Sequence, residues 1–302
     1  MSQTKTITII GASGFIGHNL INYLLTNTDY SLRAFARNTS PIKLHPKHAD
    51  RVRLINGDAF NASDVESALK GSDAVVYLLH MMAEKGDYAA KEAEAAEICG
   101  TAIAKNNIER VVYMGGLGDD KDNLSKHLRS RHHTGEILRK HVKSLIELRA
   151  SMIIGKGSIG FEIIKRLVHR LPLQTVPTWA ITKTQPIALI DALKYVQASI
   201  ELKITGHEII EIGGPEQMSY RDLIKSYGNF CGKKLILIYV PIVPLWLGAW
   251  WLNLFTPPRH AKVGRQMAES LANPMLVTND KAKKYFPEIK PISVTKAFER
   301  ED

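Results

Sequence analysis

The stretch Thr8-Ile9-Ile10-Gly11-Ala12-Ser13-Gly14-Phe15-Ile16-Gly17 decides the fold of this chain. An apolar strand, Thr6 to Ile10, runs into a glycine-rich loop, and a helical pattern from Gly14 to Leu25 follows. Glycines in such a loop let the backbone approach a pyrophosphate, and the first N–H groups of the helix present partial positive charge to it. Strand, glycine loop and helix in this order predict a dinucleotide-binding turn.

Beyond this turn, short apolar strands alternate with longer helical patterns. We predict strands at Leu32–Ala36, Val52–Ile55, Asp73–Leu79, Val111–Met114 and Leu145–Leu148, and helices at Ala89–Ala104 and Leu124–His141. Near-continuous apolar strands that alternate with helices are typical of a parallel sheet covered on both faces. We therefore expect an α/β fold with a doubly wound, Rossmann-like parallel sheet of about seven strands, ordered 3-2-1-4-5-6 plus one more.

The second half of the chain is less regular, and we expect part of it to form a small mixed C-terminal lobe. The predicted nucleotide-binding domain spans residues 1–155, and residues 185–212 return to the same sheet. Residues 156–184 and 213–302 then form the lobe. Short side chains predict three helix starts. These are Ser63 with Glu66, Asp191 before a helix at Ala192–Ile200, and Ser219 with Asp222.

The composition limits the classes of protein that this chain can represent. Of its 302 residues, 45% are hydrophobic and 23% are charged, which is ordinary for a globular protein. Only Cys99 and Cys231 are present, far apart, which argues against a disulfide framework or a cysteine zinc site and favours a reducing compartment. We expect no signal peptide and a cytoplasmic location. The net charge of +10 favours anionic partners, but no nucleic-acid recognition motif is present, so we expect none.

The end of the second strand bears on the choice of dinucleotide. An NAD site usually has an acidic residue there, about 20 residues after the glycine loop. Arg37 occupies that position, and its guanidinium suits a 2′-phosphate. We therefore expect NADP(H) in preference to NAD(H), with a solvated arginine as the alternative. Asp58 follows the third strand and either accepts from the adenine amino group or caps a helix.

With these motifs the chain resembles the short-chain dehydrogenase/reductase superfamily, and within it the atypical NmrA-like and YbjT-like branch. The resemblance covers nearly the whole chain. Besides the glycine loop it rests on Arg37-Asn38, Gly57-Asp58, Tyr77–Met82, Tyr113–Leu117, His127–Arg131, Gly135–Leu138, Leu148–Ser151, Thr184–Ile187 and Gly213–Pro215. It implies that the pyrophosphate is held by Gly11, Ser13, Gly14, Phe15, Ile16 and Gly17. Arg37 then holds the 2′-phosphate, Asp58 and Ala59 the adenine, and Leu78, Leu79 and His80 the nicotinamide ribose side.

The usual catalytic residues of that superfamily are replaced here. By the resemblance, the tyrosine position falls at Leu128, the lysine position at His132 and the serine position near Gly115-Gly116. His132 is a weak candidate for an acid or base. It lies among His127, His133 and His141, which are either structural, ligand-contacting or part of a metal site. No carboxylate or cysteine completes a metal pattern, so we expect no metal. Topology and resemblance together place His80, Met81, Met82, Gly116, His133, Ser151 and Gln185 in the substrate cleft.

An uncharged run from Leu235 to Pro258 is long enough to cross a bilayer. Pro241 and Pro244 break it, so we predict a strand at Leu235–Val240 and a separate helix from Pro244. On that helix an apolar stripe combines Leu247, Trp250, Trp251 and Leu254. This stripe either packs within the lobe or, with Arg259, His260, Lys262 and Arg265, makes peripheral membrane contact through residues 244–265.

Three functional hypotheses follow from the sequence. The first is an NADP(H)-dependent oxidoreductase that acts on a small apolar carbonyl or quinone. The second is a non-catalytic NADP(H)-binding sensor or assembly protein, as some NmrA-like proteins are. The third is an accessory protein at a membrane surface, similar to the dehydrogenase-like subunit of respiratory complex I.

Overall fold

The computed structural model has a fully parallel sheet at its centre. The structure describes residues 4–82, 84, 86–120, 122–240 and 269–301. Within these residues the sheet has seven strands: β1 (Thr6–Ile10), β2 (Ser31–Ala36), β3 (Val52–Asn56), β4 (Ala74–Tyr77), β5 (Arg110–Gly116), β6 (Ser144–Ala150) and β11 (Gly206–Ile212). Their order across the sheet is β3-β2-β1-β4-β5-β6-β11, which confirms the predicted doubly wound arrangement. Every neighbouring pair is parallel.

Helices cover both faces of this sheet, because successive residues of each strand point to opposite faces and both faces carry apolar side chains. The flanking helices are α1 (Phe15–Asn27), α2 (Ala62–Leu69), α3 (Tyr88–Lys105), α4 (Lys126–His141) and α6 (Leu189–Glu201). Ile7 and Ile9 of β1 pack toward α1 and α6, whereas Ile10 packs toward α2, α3 and α4. The sheet is thereby sandwiched between two apolar layers, and its carboxyl edge is left for loops.

A smaller mixed lobe follows β6. Three two-stranded pairings build it: β7 (Ile153–Ile154) with β10 (Ile187–Ala188), β8 (Leu173–Pro177) with β13 (Ile236–Val240), and β9 (Lys183–Thr184) with β12 (Met218–Ser219). Its helices are α5 (Ile159–Arg170), α7 (Tyr220–Phe230) and α9 (Val294–Glu301), and a 3-10 turn lies at Thr178–Ile181. The short helix α8 (Lys281–Tyr285) packs instead on β11 of the central sheet, and a second 3-10 turn, Pro46–Arg51, precedes β3. The rings of Phe161, Tyr227 and Phe298 form the centre of its apolar core.

Two predicted helix starts are wrong and one is confirmed. α2 begins at Ala62, because the side chain of Asn61 accepts from the N–H groups of Ser63 and Asp64. Asparagine is as good an N-cap as serine, and it stands earlier in the chain.

The second error concerns Asp191, which lies in the first turn of α6 and does not cap it. Its buried carboxylate accepts from the N–H of Ile292 at 2.7 Å and pairs with Lys194 at 2.9 Å. A long-range contact therefore takes the place of the predicted cap. The box of Ser219 and Asp222 is present at the start of α7.

The uncharged run yields one confirmed element. Its first part is β13, Ile236–Val240, in agreement with the predicted strand. The predicted helix from Pro244, the apolar stripe of Leu247, Trp250, Trp251 and Leu254, and the membrane contact at 244–265 lie outside the described residues. Among the residues that are described, no helix combines the length and apolar character needed to cross a membrane.

Candidate functional site

The glycine loop forms a turn that only glycine accommodates. Gly11 follows β1 with φ +86°, and a Cβ built on it would lie 2.9 Å from the carbonyl carbon of Leu78. A Cβ on Gly17 would lie 2.5 Å from the oxygen of Gly11. The loop therefore presses against the end of β4 on one side and against the start of α1 on the other, and its backbone remains bare where a ligand would approach.

The beginning of α1 is suited to an anion. Gly14 is the N-cap and has no side chain with which to cap the helix, and the first turn carries no acidic residue. Ser13 and Gly14 are exposed, and Phe15 and Ile16 are partly buried. The helix N-terminus thus presents N–H groups with partial positive charge at the surface. These residues fit the diphosphate of a dinucleotide.

The residues predicted for the adenosine end lie together at the carboxyl ends of β2 and β3. Arg37 is 64% exposed in its side chain and forms an ion pair of 2.5 Å with Glu84. Asp58 is exposed, and its Oδ1 accepts from the N–H of Phe60 at 3.1 Å. Ala59 is buried. The sequence did not reveal Glu84, which belongs to the loop after β4 and reaches Arg37 only because β2 and β4 both flank β1.

At the end of β4, a buried carboxylate organises the residues that follow Leu78. Glu92 of α3 is 2% exposed in its side chain and lies 2.7 Å from Nδ1 of His80. It also accepts from the N–H of Met81 at 2.8 Å and from the hydroxyl of Ser130. Burial opposes the charge of this carboxylate, but His80 and Arg131 lower the pKa of Glu92 to about 2.

Two imidazole rings stack on each other at this edge of the sheet. The ring of His127 stacks on that of His80, with centroids 5.2 Å apart and planes inclined by 16°. Nδ1 of His127 lies 3.1 Å from the hydroxyl of Ser270. Burial, together with His80 and Arg131, lowers the pKa of His127 well below its usual value. Arg131 in turn donates to the carbonyl of Leu79 at 2.9 Å, so α4 is tied to the end of β4.

His132 is held at both of its ring nitrogens. Nε2 lies 2.9 Å from the carbonyl oxygen of Gly116, and Nδ1 contacts the carboxylate of Asp120. Asp120 also pairs with Arg149 at 3.1 Å. Burial raises the pKa of Asp120, but His132 and Arg149 outweigh this effect and lower it. Arg149 in turn pairs with the buried Glu147 at 2.7 Å. This geometry favours a positioning role for His132.

The four histidines of the α4 region do not form one group. They contact Ser270, Asp120, Glu136 and Glu97, respectively, in the order His127, His132, His133 and His141. The four partners lie in four different elements or turns of the fold. In the described part of the chain, no group of three or more histidine, cysteine, aspartate or glutamate side chains has an arrangement that could hold a metal ion.

The position that the resemblance gives to the tyrosine is filled by apolar side chains. Leu128 is 1% exposed and packs with Leu117, Leu124, Tyr220 and Met275. A Cβ on Gly116 would lie 2.9 Å from Leu128 Cδ2. Met275 belongs to a C-terminal segment, residues 269–278, that lies over the start of α4.

The remaining cleft residues are dispersed. Met81 and Met82 are 7% and 2% exposed and belong to the core between the sheet and α3. His133 is exposed and pairs with Glu136. Ser151 donates to the carbonyl of Gln185 at 2.6 Å, and the Gln185 side chain donates to the carbonyl of Gly214 at 2.7 Å.

Glu92 and Ser270 were missed by the sequence reasoning, which left the role of His127 open. A helical period was the available signal for Glu92. It falls four residues after Tyr88 and three before Ala95, both of which are buried on the same face of α3. Ser270 gave no comparable signal, because its contact with His127 joins residues far apart in the chain.

Comparison with known proteins gives this arrangement a context. Residues 11–153 match the family model described as NAD(P)H-binding. An NmrA-like family domain-containing oxidoreductase of Aspergillus campestris is 35% identical over 72 residues, which are 24% of this chain and 21% of that protein. The chain spans between 18% and 34% of the length of the curated relatives that it matches.

Solved structures share the fold over nearly the whole chain. A nucleoside-diphosphate-sugar epimerase from Staphylococcus aureus superposes with a TM-score of 0.76 at 17% identity, covering 98% of this chain and 100% of that one. An NADPH-dependent quinone oxidoreductase from Escherichia coli, complexed with NADPH, gives a TM-score of 0.73 at 16% identity, covering 97% and 99%. At these identities the comparison establishes the fold.

Proposed function

We propose, from the match of residues 11–153 to an NAD(P)H-binding family, that the chain is an NADP(H)-dependent oxidoreductase acting on a small apolar carbonyl or quinone. The observation that carries the proposal is the bare glycine loop, wedged at Gly11 between β1 and the Leu78 carbonyl. When bound, the dinucleotide supplies a hydride. The Escherichia coli neighbour, named for quinone reduction with NADPH, supports the same chemistry on this fold.

Each end of the dinucleotide has candidate residues in this proposal. The backbone from Gly11 to Gly17 receives the pyrophosphate, and Asp58 and Ala59 border the adenine. Leu78, Leu79 and His80 border the nicotinamide ribose. The substrate then lies beyond His80, with the described residues of the lobe, 156–184 and 213–240, beside it.

Arg37 is the residue that we propose selects NADP(H). Its guanidinium is exposed at the end of β2, where an acidic residue would bind the ribose hydroxyls of NAD(H). A 2′-phosphate competes with Glu84 for Arg37, because both are anions that accept from the same donors.

Titration of the wild type and of Arg37→Asp with NADPH and NADH tests this proposal. We expect Arg37→Asp to weaken NADPH binding at least roughly tenfold and to change NADH binding little, since a charge-assisted hydrogen bond contributes about 1.5–3 kcal/mol. Arg53→Asp, an exposed arginine on β3, is the control for the change in net charge. Equal losses for the two dinucleotides would refute the preference.

A second candidate, a non-catalytic NADP(H)-binding sensor, is favoured by the apolar cluster around Leu128. By the resemblance, Leu128 of that cluster stands at the position of the superfamily's proton donor. Oxidation of NADPH, followed by absorbance with a panel of quinones, ketones and aldehydes, separates the two functions. Turnover of any acceptor supports the oxidoreductase, whereas tight NADPH binding without turnover supports the sensor.

A further inference from the structure

The pair formed by His80 and Glu92 has the geometry of an oriented acid–base group. Nδ1 of His80 lies 2.7 Å from Oε1 of Glu92. The carboxylate cannot swing away, because the N–H of Met81 and the hydroxyl of Ser130 also donate to it. An ionised carboxylate only accepts, so Nδ1 carries the hydrogen in this pair. The neutral ring then presents a lone pair at Nε2.

Nε2 is the open side of this ring. His80 is 38% exposed in its side chain, and within the described part of the chain its Nε2 has no hydrogen-bond partner. The stacked ring of His127 covers one face of His80, and Glu92 occupies the edge that carries Nδ1. His132 differs in this respect, since both of its nitrogens are engaged by Asp120 and Gly116.

The position of His80 in the fold places this open nitrogen beside the proposed dinucleotide site. Leu78 donates its N–H to the carbonyl of Ile10 at 2.9 Å, and its carbonyl lies against Gly11. Only Leu79 separates Leu78 from His80. The imidazole therefore emerges at the same edge of the sheet as the glycine loop, one strand away from it.

We propose that His80 exchanges a proton through Nε2 with the oxygen of the bound substrate, and that Glu92 and Ser130 are positioning residues for its ring. This inference rests on the proposed oxidoreductase function and supplies the proton that the replaced tyrosine would have given. In the reducing direction the substrate carbonyl carbon gains a hydride, which brings both electrons. The carbonyl oxygen takes the Nε2 proton of imidazolium, and the neutral ring is reprotonated from water.

The groups that face His80 decide how this step depends on pH. Glu92 of α3 favours the charged ring, whereas Arg131 of α4 disfavours it, and the titratable ring of His127 of α4 stacks on it. Burial, opposed by Glu92, lowers the pKa of His80. The ring is therefore mostly neutral near pH 7, and the reduction is expected to become faster as the pH falls toward this pKa.

The test uses the full chain with His80→Asn and Glu92→Gln, and His141→Asn is the matched control. His141 also forms a histidine–glutamate pair, in which its Nε2 lies 2.6 Å from Oε2 of Glu97, but it is the last residue of α4. Two-dimensional NMR of the imidazole nitrogens reports the tautomer of His80 and its response to NADPH without any turnover. Steady-state rates of NADPH oxidation with the acceptor found in the panel, measured between pH 5 and 9, report the proton step.

If the proposal holds, the His80 ring is the Nδ1–H tautomer, its signals shift when NADPH binds, and Glu92→Gln alters the tautomer ratio. His80→Asn then lowers kcat roughly a hundredfold, which lies within the range that general acid–base catalysis contributes. The same variant removes the rise of the rate on the acid side of the pH profile. NADPH binding falls less than kcat does, because His80 borders only the nicotinamide ribose in this proposal and the contacts of the pyrophosphate and the 2′-phosphate remain.

Two results overturn the assignment. One is an NMR spectrum in which NADPH perturbs the amides of Ser13 and Gly14 but not the His80 ring. The other is a His80→Asn variant with the rate and pH profile of His141→Asn. Either result leaves the oxidoreductase function standing. The oxidoreductase function fails separately if the wild type binds NADPH and shows the His80 response but turns over no acceptor. Such a result would also end the catalytic role of His80.

Discussion

The guanidinium of Arg37 lies 2.5 Å from the carboxylate of Glu84, so the cation at the end of β2, which we propose binds the 2′-phosphate, is paired with an anion of this chain. Glu84 is 30% exposed and Arg37 64% exposed in their side chains. Pairs at such exposure contribute little to stability, typically below about 1 kcal/mol. The pair is therefore easily exchanged for a phosphate.

Removal of the Glu84 charge is expected to strengthen NADPH binding. Glu84→Gln frees Arg37 and removes the repulsion between the carboxylate and a 2′-phosphate, so we expect an affinity gain of roughly threefold to tenfold, about 1 kcal/mol. NADH affinity should stay unchanged. Calorimetric titration measures both, with Glu94→Gln, an exposed glutamate of α3, as the control. Equal gains for the two dinucleotides would show that Glu84 does not face the 2′ position.

Gly11→Ala is expected to damage both stability and dinucleotide binding. At φ +86° any side chain is strained by about 1–2 kcal/mol, and here the new Cβ also meets the Leu78 carbonyl carbon at 2.9 Å. Gly206→Ala is the matched control, since Gly206 has φ +81° with nothing within 4 Å. Urea unfolding should show a larger loss for Gly11→Ala, and NADPH binding should fall only in that variant. Identical losses would mean that the loop can move away from β4.

Glu147 is the buried centre of an ion network, and its neutralisation should destabilise the fold. Its carboxylate is fully buried and pairs with Arg139 at 2.5 Å and Arg149 at 2.7 Å. Glu147→Gln leaves the buried Arg149 with less compensation, which typically costs about 3–5 kcal/mol. Glu66→Gln, which removes an exposed pair with Lys105, should cost less than about 1 kcal/mol. Comparable losses in the two variants would contradict the burial argument.

Glu92 should make the protein sensitive to acid. Its pKa is lowered to about 2 by His80, Arg131 and the surrounding donors, against about 4.3 in an unfolded chain. A depressed carboxyl pKa stabilises the folded state above the unfolded value, and this stabilisation, about 3 kcal/mol, is lost as the pH falls from about 4.5 toward 2. The free energy of unfolding, measured between pH 6 and 3, should therefore fall more steeply in the wild type than in Glu92→Gln. Parallel curves would show that folding does not lower the pKa of Glu92.

The local parts of the structure were readable from the sequence because they depend on short-range sterics and periodicity. The turn at Gly11, the buried strand at Ala74–Tyr77 and the box of Ser219 with Asp222 each follow from neighbouring residues. The failures at Ser63 and Asp191 arose where another partner was better placed. In one case the partner was Asn61, two residues earlier, and in the other it was Ile292, a hundred residues later.

The sequence by itself determined the glycine loop and the parallel order of strands, since a bare turn and continuous apolar strands permit few other arrangements. Only the tertiary structure decided which polar groups meet. Glu92, His80 and Ser130 lie on three different elements, and their contact exists because α3 and α4 pack side by side against the end of β4. The four histidines of the α4 region look alike in sequence, but different neighbours face them around the helix. Their separate contacts follow from packing between distant segments, which no local pattern encodes.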